Sequence, residues 1–118
     1  MSRKDTFLRK PLNKTLASKI LRTVNPHEGF WFYNASADFT GKNARSLKDF
    51  AELLRVVDAG SLDFHFGQGD FRRWIQLILG DIDLSVRINR IPQEIRGEKL
   101  RRNLTRVVDK RLKELKRI

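Results

Sequence analysis

The sequence contains no cysteine, and this absence excludes several classes of protein at once. Without thiols the chain can form no disulfide framework, no thiolate metal site and no cysteine nucleophile. Histidine is scarce as well, since His27 and His65 are the two imidazoles in the chain. We therefore expect no enzymatic activity, no cofactor and no small-molecule substrate.

Long apolar runs are missing too. No stretch approaches the ~18 consecutive apolar residues that a membrane-spanning helix requires. The first residues, "MSRKDTFLRKP", are charged, and the apolar segment of a secretory signal does not follow them. With 118 residues, of which 40% are hydrophobic, the chain suffices for one domain with a modest core. We expect a cytoplasmic protein without a membrane partner.

Positive charge, by contrast, is abundant and concentrated at both ends of the chain. The sequence carries 25 Lys or Arg residues against 14 Asp or Glu residues, a formal net charge of +11. Residues 1–22 have seven basic side chains and one acidic one, residues 96–118 have ten and three, and the residues between have eight and ten. A near-neutral centre between basic ends is typical of a domain whose flanks bind a polyanion such as nucleic acid.

Apolar residues at helical spacing predict a mainly α protein. We divide the chain into a basic N-terminal arm (residues 1–11), a compact core domain of about five helices (residues 12–91) and a long amphipathic basic C-terminal helix (residues 92–118). The first core helix is expected to end at Asn25, before a proline, and the last helix to begin near Gln93.

Polar residues and glycine mark the predicted ends of the other core helices. Ser46 and Asp49 have the spacing of an acidic capping box. Asp70 and Asp81 are placed as N-terminal caps of the two helices that follow. Gly80 lies between them as a left-handed C-terminal cap.

Three segments of the core lack a clear helical period. In "GFWFYNASADF", weak alternation puts Phe30 and Phe32 on one side and Trp31 and Tyr33 on the other, which predicts a short strand or an irregular aromatic segment. These rings either pack in the core, which we favour, or stack on single-stranded bases, with Trp31 or Tyr33 the expected exposed rings. "TGKNA" is predicted to be a turn, and the glycine-rich "DAGSLDFHFGQGD" a compact connector.

The C-terminal helix divides its residues between opposite faces. At 100° per residue, an apolar face spans roughly 100°, the width of a core-facing stripe. Its members are Leu100, Leu104, Val107, Val108, Leu115 and Ile118. Six cations occupy an arc of roughly 80° on the far side, in a row ~27 Å long at 1.5 Å per residue. Arg111 is the exception within the apolar arc: either its stem follows the edge of the core with the guanidinium reaching solvent, or the helix stands clear of the domain there.

Two explanations compete for the basic segments, a solvated surface and a contact with a polyanion. Contact is favoured because the helical row has one sign, contains no acid and is matched by a second basic segment at the N-terminus. The predicted nucleic-acid-binding residues are Arg3, Lys4, Arg9, Lys10, Lys14, Lys99, Arg102, Arg106, Lys110, Lys113 and Arg117.

A second candidate site is the group of Asp63, His65 and Asp70. Such residues can bind a divalent metal or act as acid and base in a hydrolase, but their spacing matches no ligand pattern. We favour a structural role, in which His65 packs in the core and Asp70 caps a helix. "GQGD" lacks the Lys-Ser/Thr of a phosphate-binding loop and is predicted to be a turn.

A distinctive motif runs through the middle of the chain. Its members are Ser61, Leu62, Phe64, His65, Phe66, Gly69, Asp70, Phe71, Trp74 and Ile75. Together with the surrounding residues 39–81 and the preceding "FWFY", this motif resembles a family of small archaeal domains of unknown function. The resemblance implies a compact, mostly helical module of archaeal origin, and it implies no activity and no catalytic residues.

These observations favour a non-enzymatic nucleic-acid-binding protein that contacts phosphates through its basic ends. RNA, and ribosomal RNA in particular, is preferred to DNA. The leading hypothesis is therefore a ribosomal or ribosome-associated protein, and ribosomal proteins are candidate further partners. One alternative is a chromatin or replication accessory protein that binds duplex DNA. Another is a protein-interaction module whose amphipathic helix packs on a partner, and metal-dependent phosphodiester cleavage is the least favoured.

Overall fold

The structure, a computed structural model, describes residues 11–118 and confirms a mainly helical fold with a small sheet. In chain order, the elements of this part are α1 (Lys14–Leu21), β1 (Phe30–Tyr33), β2 (Phe39–Ala44), α2 (Leu47–Leu54), α3 (Ala59–Gln68), α4 (Asp70–Trp74), α5 (Ile82–Asn89) and α6 (Gly97–Lys116). A π-helical turn, Ile75–Leu79, continues α4. The helix α1 ends before Asn25, and α6 begins after Gln93, so both predicted boundaries were wrong by four residues.

The aromatic segment is a strand, and it pairs antiparallel with β2. The predicted turn at "TGKNA" was wrong, because these residues belong to β2. The chain reverses earlier, at residues 34–38, where the Asn34 side chain accepts hydrogen bonds from the backbone N–H groups of Ser36 and Asp38. An Asx turn of this kind ends a strand without glycine or proline.

The inner face of the hairpin supplies the centre of the core. Phe30 and Phe32 are buried, and the Phe30 ring lies 5.1 Å from that of Phe71 and 5.8 Å from that of Phe50, centroid to centroid. Trp74 joins this cluster and donates its indole N–H to a backbone carbonyl 2.8 Å away. The aromatic cluster therefore fixes the hairpin against α2 and α4.

The segment predicted as a glycine-rich connector is the helix α3. Its buried residues Leu62, His65 and Phe66 recur at helical spacing, and their burial outweighs the low helix propensity of Gly60 and Gly67 in the same helix. The helix ends at Gly69, whose φ of +72° suits glycine. Asp70 was wrongly predicted as an N-cap, since Gly69 holds that position.

The other predicted caps are confirmed. The Ser46 hydroxyl accepts the Asp49 N–H at 3.1 Å, and the Asp81 carboxylate accepts the Leu84 N–H at 3.1 Å. Gly80 has the left-handed φ of +82° that was predicted for it.

The apolar face of α6 packs against α2, α3 and α5. Leu100, Leu104, Val108 and Leu115 are buried, as is Leu112, which the apolar arc did not include. Ile118 was wrongly predicted to face the core, because the helix ends at Lys116 and the side chain beyond it is 43% exposed.

Both expectations for Arg111 were wrong. The residue is 4% exposed, and its Nε and Nη2 atoms lie 2.8 and 3.0 Å from the carboxylate oxygens of Asp81, which is 1% exposed. The guanidinium therefore points into the domain and joins α6 to the start of α5.

Candidate nucleic-acid interface

The outer face of α6 is a continuous cationic surface. The residues that form it are Lys99, Arg102, Arg106, Lys110, Lys113 and Arg117, and all six are exposed. They lie opposite the buried face, as the helical period predicted. Their spacings of three or four residues correspond to ~4.5 to 6 Å along the helix axis. We call these six residues the cationic row.

The cationic row has no carboxylate partners within residues 11–118, where none of its nitrogens lies within 4.0 Å of a carboxylate oxygen. The three acids of α6 bind elsewhere. Glu98 pairs with Arg101, Asp109 with Arg55, and Glu114 with Arg87 and Arg111. Because these acids are held on the flanks of the helix, they leave the row's positive charge unneutralised.

The ion pairs of Glu98 and Glu114 favour the ionised form of these two carboxylates. The hydrogen bond from Arg101 lowers the pKa of Glu98. The hydrogen bond from Arg87 lowers the pKa of Glu114, and Arg111 adds to the effect. Both glutamates therefore stay ionised to a lower pH than a glutamate without an arginine partner.

A groove of 530 Å³ between α5 and α6 extends the cationic surface sideways. Its rim carries Arg106 and Lys110 from the cationic row and Arg90 from the end of α5. Arg90 is exposed and was not among the predicted binding residues. No sequence signal places it there, because its position beside α6 depends on how the two helices pack.

The wall of this groove is an ion-pair network that ties α5 to α6. Arg87 contacts Asp83 on its own helix at 2.9 Å and Glu114 on α6 at 2.8 Å. The hydrogen bond to Glu114 raises the pKa of Arg87 further above its ordinary value. The network fixes the position of Arg90, at the end of α5, relative to Arg106 and Lys110 on α6.

The predicted N-terminal residues are not all within the described part of the chain. Arg3, Lys4, Arg9 and Lys10 lie outside the described residues. Lys14 is exposed in the first turn of α1, and it does not line the groove between α5 and α6.

The structure brings His65 and Asp70 together and places Asp63 with a different partner. His65 is 4% exposed; its Nε2 accepts the Tyr33 backbone N–H at 2.8 Å, and its Nδ1 lies 2.8 Å from the Asp70 carboxylate. Asp63 instead accepts the N–H of Gly97 at the start of α6. Among residues 11–118 no group of three or more His, Asp or Glu side chains is arranged to hold a metal ion.

Three aromatic rings remain on the outer face of the hairpin. Trp31, Tyr33 and Phe39 are 37%, 36% and 46% exposed. The Phe39 ring lies 5.2 Å from Trp31 and 5.6 Å from Tyr33, centroid to centroid. The favoured core role therefore holds for Phe30 and Phe32, while both of the other rings of "FWFY" reach the surface.

No helix in the described part of the chain has the length and apolarity needed to cross a membrane. Comparison of the chain with family models, curated proteins and solved structures finds no match.

Proposed function

We propose that the protein is a non-enzymatic RNA-binding protein, ribosomal or ribosome-associated, from an archaeon. The observation that carries the proposal is the cationic row: six exposed cations, without carboxylate partners among the described residues, on a helix whose opposite face is buried. A polyanion would neutralise this charge and would release counterions on binding.

The row suits contact with a phosphate backbone. Consecutive cations lie ~4.5 to 6 Å apart along a rigid helix, so a strand running along α6 meets a positive charge at each step. Contacts of this kind supply affinity and depend little on base sequence. Arg90 widens the contact at the middle of the row, where the groove opens.

The packing of α6 argues against the protein-interaction alternative. In that hypothesis the apolar face of the helix binds a partner, but Leu100, Leu104 and Val108 on this face are fully buried within the domain. What α6 offers to a partner is its cationic face. A negatively charged partner is therefore favoured, and duplex DNA remains the alternative nucleic acid.

The test compares two variants that remove the same charge from different places. Arg106→Gln/Lys110→Gln neutralises two cations of the row, and Lys42→Gln/Lys48→Gln neutralises two exposed lysines on β2 and α2. Fluorescence anisotropy with a labelled RNA stem-loop measures Kd between about 50 and 200 mM salt.

We expect the row variant to weaken binding at least 10-fold at the lower salt concentration and to reduce the salt slope by about 1 to 2. The control variant should bind almost as the wild type does. Equal losses would show that net charge alone drives binding, and unchanged binding of the row variant would refute the proposal. The same titration with duplex DNA of equal length decides between RNA and DNA.

A further inference from the structure

A cleft of 390 Å³ lies between the end of α3, the start of α4 and the end of α5. Its base is apolar and is formed by Phe66, Phe71 and Ile88, all of them buried. The volume falls within the ~300 to 1,000 Å³ typical of small-molecule and cofactor sites. None of the contacts that support the cationic row involves this cleft.

The rim of the cleft carries unused hydrogen-bonding groups. Three amide side chains, those of Gln68, Asn89 and Gln93, line it together with the guanidinium of Arg72. Within residues 11–118 none of these amides bonds to another protein group, and no carboxylate pairs with Arg72. Three amides and one guanidinium therefore converge on an apolar base without a protein partner in the described chain.

Gly67 is one of the residues that line the cleft. It lies inside α3, where glycine costs about 1 kcal/mol relative to alanine. Its φ is not positive, and a Cβ there would meet only the end of the flexible Arg96 side chain, at 3.4 Å. The backbone thus does not require glycine at this position, although Gly67 belongs to the lining of the cleft.

We propose that the cleft binds the base of one unpaired nucleotide of the RNA that lies along the cationic row. Amide side chains form paired hydrogen bonds with base edges, and arginine does so with guanine or binds a phosphate. An apolar base accepts the face of the ring, and unpaired bases are the usual targets of sequence-specific RNA recognition. This site rests on the proposed function of α6 as an RNA contact. Through it, the protein would distinguish an RNA with an unpaired base from one without.

The cleft lies beside the groove that carries Arg90, and a further cation, Arg96, lies next to the cleft. The end of α5 separates them, with Ile88 and Asn89 lining the cleft and the next residue, Arg90, on the rim of the groove. At the start of α6, the Arg96 guanidinium lies 5.5 Å from the centre of the Phe66 ring. A strand whose phosphates contact Arg90 can therefore direct a base into the cleft.

The test uses two labelled RNA stems that differ by one unpaired nucleotide. Wild-type protein, the cleft variant Gln68→Ala/Asn89→Ala and the matched variant Asn25→Ala/Gln76→Ala, which removes two exposed amides outside the cleft, are titrated with both stems. Gly67→Met adds a long side chain at a lining residue of the cleft, and Gly67→Ala is its small control. Circular dichroism melts verify that each variant is folded.

We expect wild-type protein to prefer the bulged stem, by about 10-fold if one base pairs with two amides. The cleft variant and Gly67→Met should lose this preference and still bind the fully paired stem as wild type does. The matched variant and Gly67→Ala should retain it. If the wild type and the cleft variant prefer the bulged stem over the fully paired stem to the same extent, the inference is overturned.

The remaining outcomes separate this inference from the proposed function. If Arg106→Gln/Lys110→Gln binds both stems as wild type does, the proposed function fails. If that variant weakens both stems while the cleft variant changes nothing, only the cleft assignment fails. Loss of the preference in Trp31→Ala/Phe39→Ala alone would place the base on the hairpin instead. Binding of free nucleoside monophosphates without any preference for the bulged stem would overturn the assignment to an RNA strand.

Discussion

Arg111 and Asp81 form a buried ion pair whose two charges depend on each other. Burial lowers the pKa of Arg111, but the hydrogen bond and charge of Asp81, together with smaller effects of Glu114 and Asp83, outweigh burial and raise this pKa overall. Arg111→Met would leave the buried Asp81 carboxylate without its cation and with only the Leu84 N–H as a hydrogen-bond donor, so we expect the free energy of unfolding to fall by ~3 to 5 kcal/mol. Urea denaturation at neutral pH measures the loss.

The adjacent variant Lys110→Met is the control, because it changes an exposed cation on the same helix and should shift stability by no more than ~0.5 kcal/mol. Equal effects of the two substitutions would mean that the buried pair does not stabilise the domain.

The two histidines differ in what surrounds them. His65 is buried between the hairpin and α4, whereas His27 is exposed. His65→Leu removes the acceptor of the Tyr33 N–H and the partner of Asp70, and leaving such a group unpaired costs about 1 to 3 kcal/mol. His27→Leu should change stability by less than ~0.5 kcal/mol.

Chemical denaturation measures both histidine variants, and RNA binding supplies the second readout. We expect the folded His65→Leu protein to bind RNA with unchanged affinity, since the cationic row lies on another element. Loss of binding without loss of stability would assign His65 a functional role.

At the scale of single residues, the sequence predicted the side chains of the cationic row because they belong to one continuous helix. The direction in which each side chain leaves the helix axis follows from the 3.6-residue period alone. Arg90 and the pair formed by Arg111 and Asp81 were not predictable in this way, because their positions depend on the contact between α5 and α6. The same limit applies to the cleft, whose rim combines residues from three elements.

Among the elements, α5 and α6 are joined by Arg87 and Glu114 across the wall of the groove. The pKa of Glu114 is lower in the folded protein than its ordinary value of 4.5. Its contribution to stability is therefore complete above the unfolded pKa and is lost as the pH falls through the folded one. We expect Glu114→Gln to cost about 0.5 to 1 kcal/mol at neutral pH.

The difference in stability between wild type and Glu114→Gln should shrink as the pH falls below about 4.5, and denaturation curves at several pH values measure it. Glu94→Gln changes an exposed acid outside the network and should show no such trend. A difference that stays constant from neutral to acidic pH would show that ionisation of Glu114 does not link the helices.

The helix α3 marks the limit of prediction at this scale. Gly60 and Gly67 within the helix and Gly69 at its end suggested a connector, yet of these three only Gly69 has a backbone conformation that favours glycine. Local propensity and tertiary burial disagree here, and the burial of Leu62 and Phe66 decides the outcome. In α6 the two agree, so that helix and its faces followed directly from the pattern.

In the molecule as a whole, the predicted RNA-binding residues lie in two regions that are far apart in sequence, the N-terminal arm and the cationic row. Neutralising Arg3, Lys4, Arg9 and Lys10 by substitution with glutamine removes four charges from the predicted N-terminal arm. Arg106→Gln/Lys110→Gln removes two from the cationic row. If both regions contact one RNA at once, the salt slope of the combined variant should be reduced by the sum of the reductions seen in the two separate variants. The reason is that each lost phosphate contact lowers the slope by about 1.

Titrations of one RNA stem-loop with wild type, each variant and the combination measure these slopes. A combined variant no weaker than the row variant would remove the N-terminal residues from the interface and leave α6 as the contact. If only the N-terminal variant lost RNA affinity, the N-terminal residues would form the contact and the cationic row would be a solvated surface. The additive outcome is expected, since net charge is concentrated in both segments while the domain between them is close to neutral.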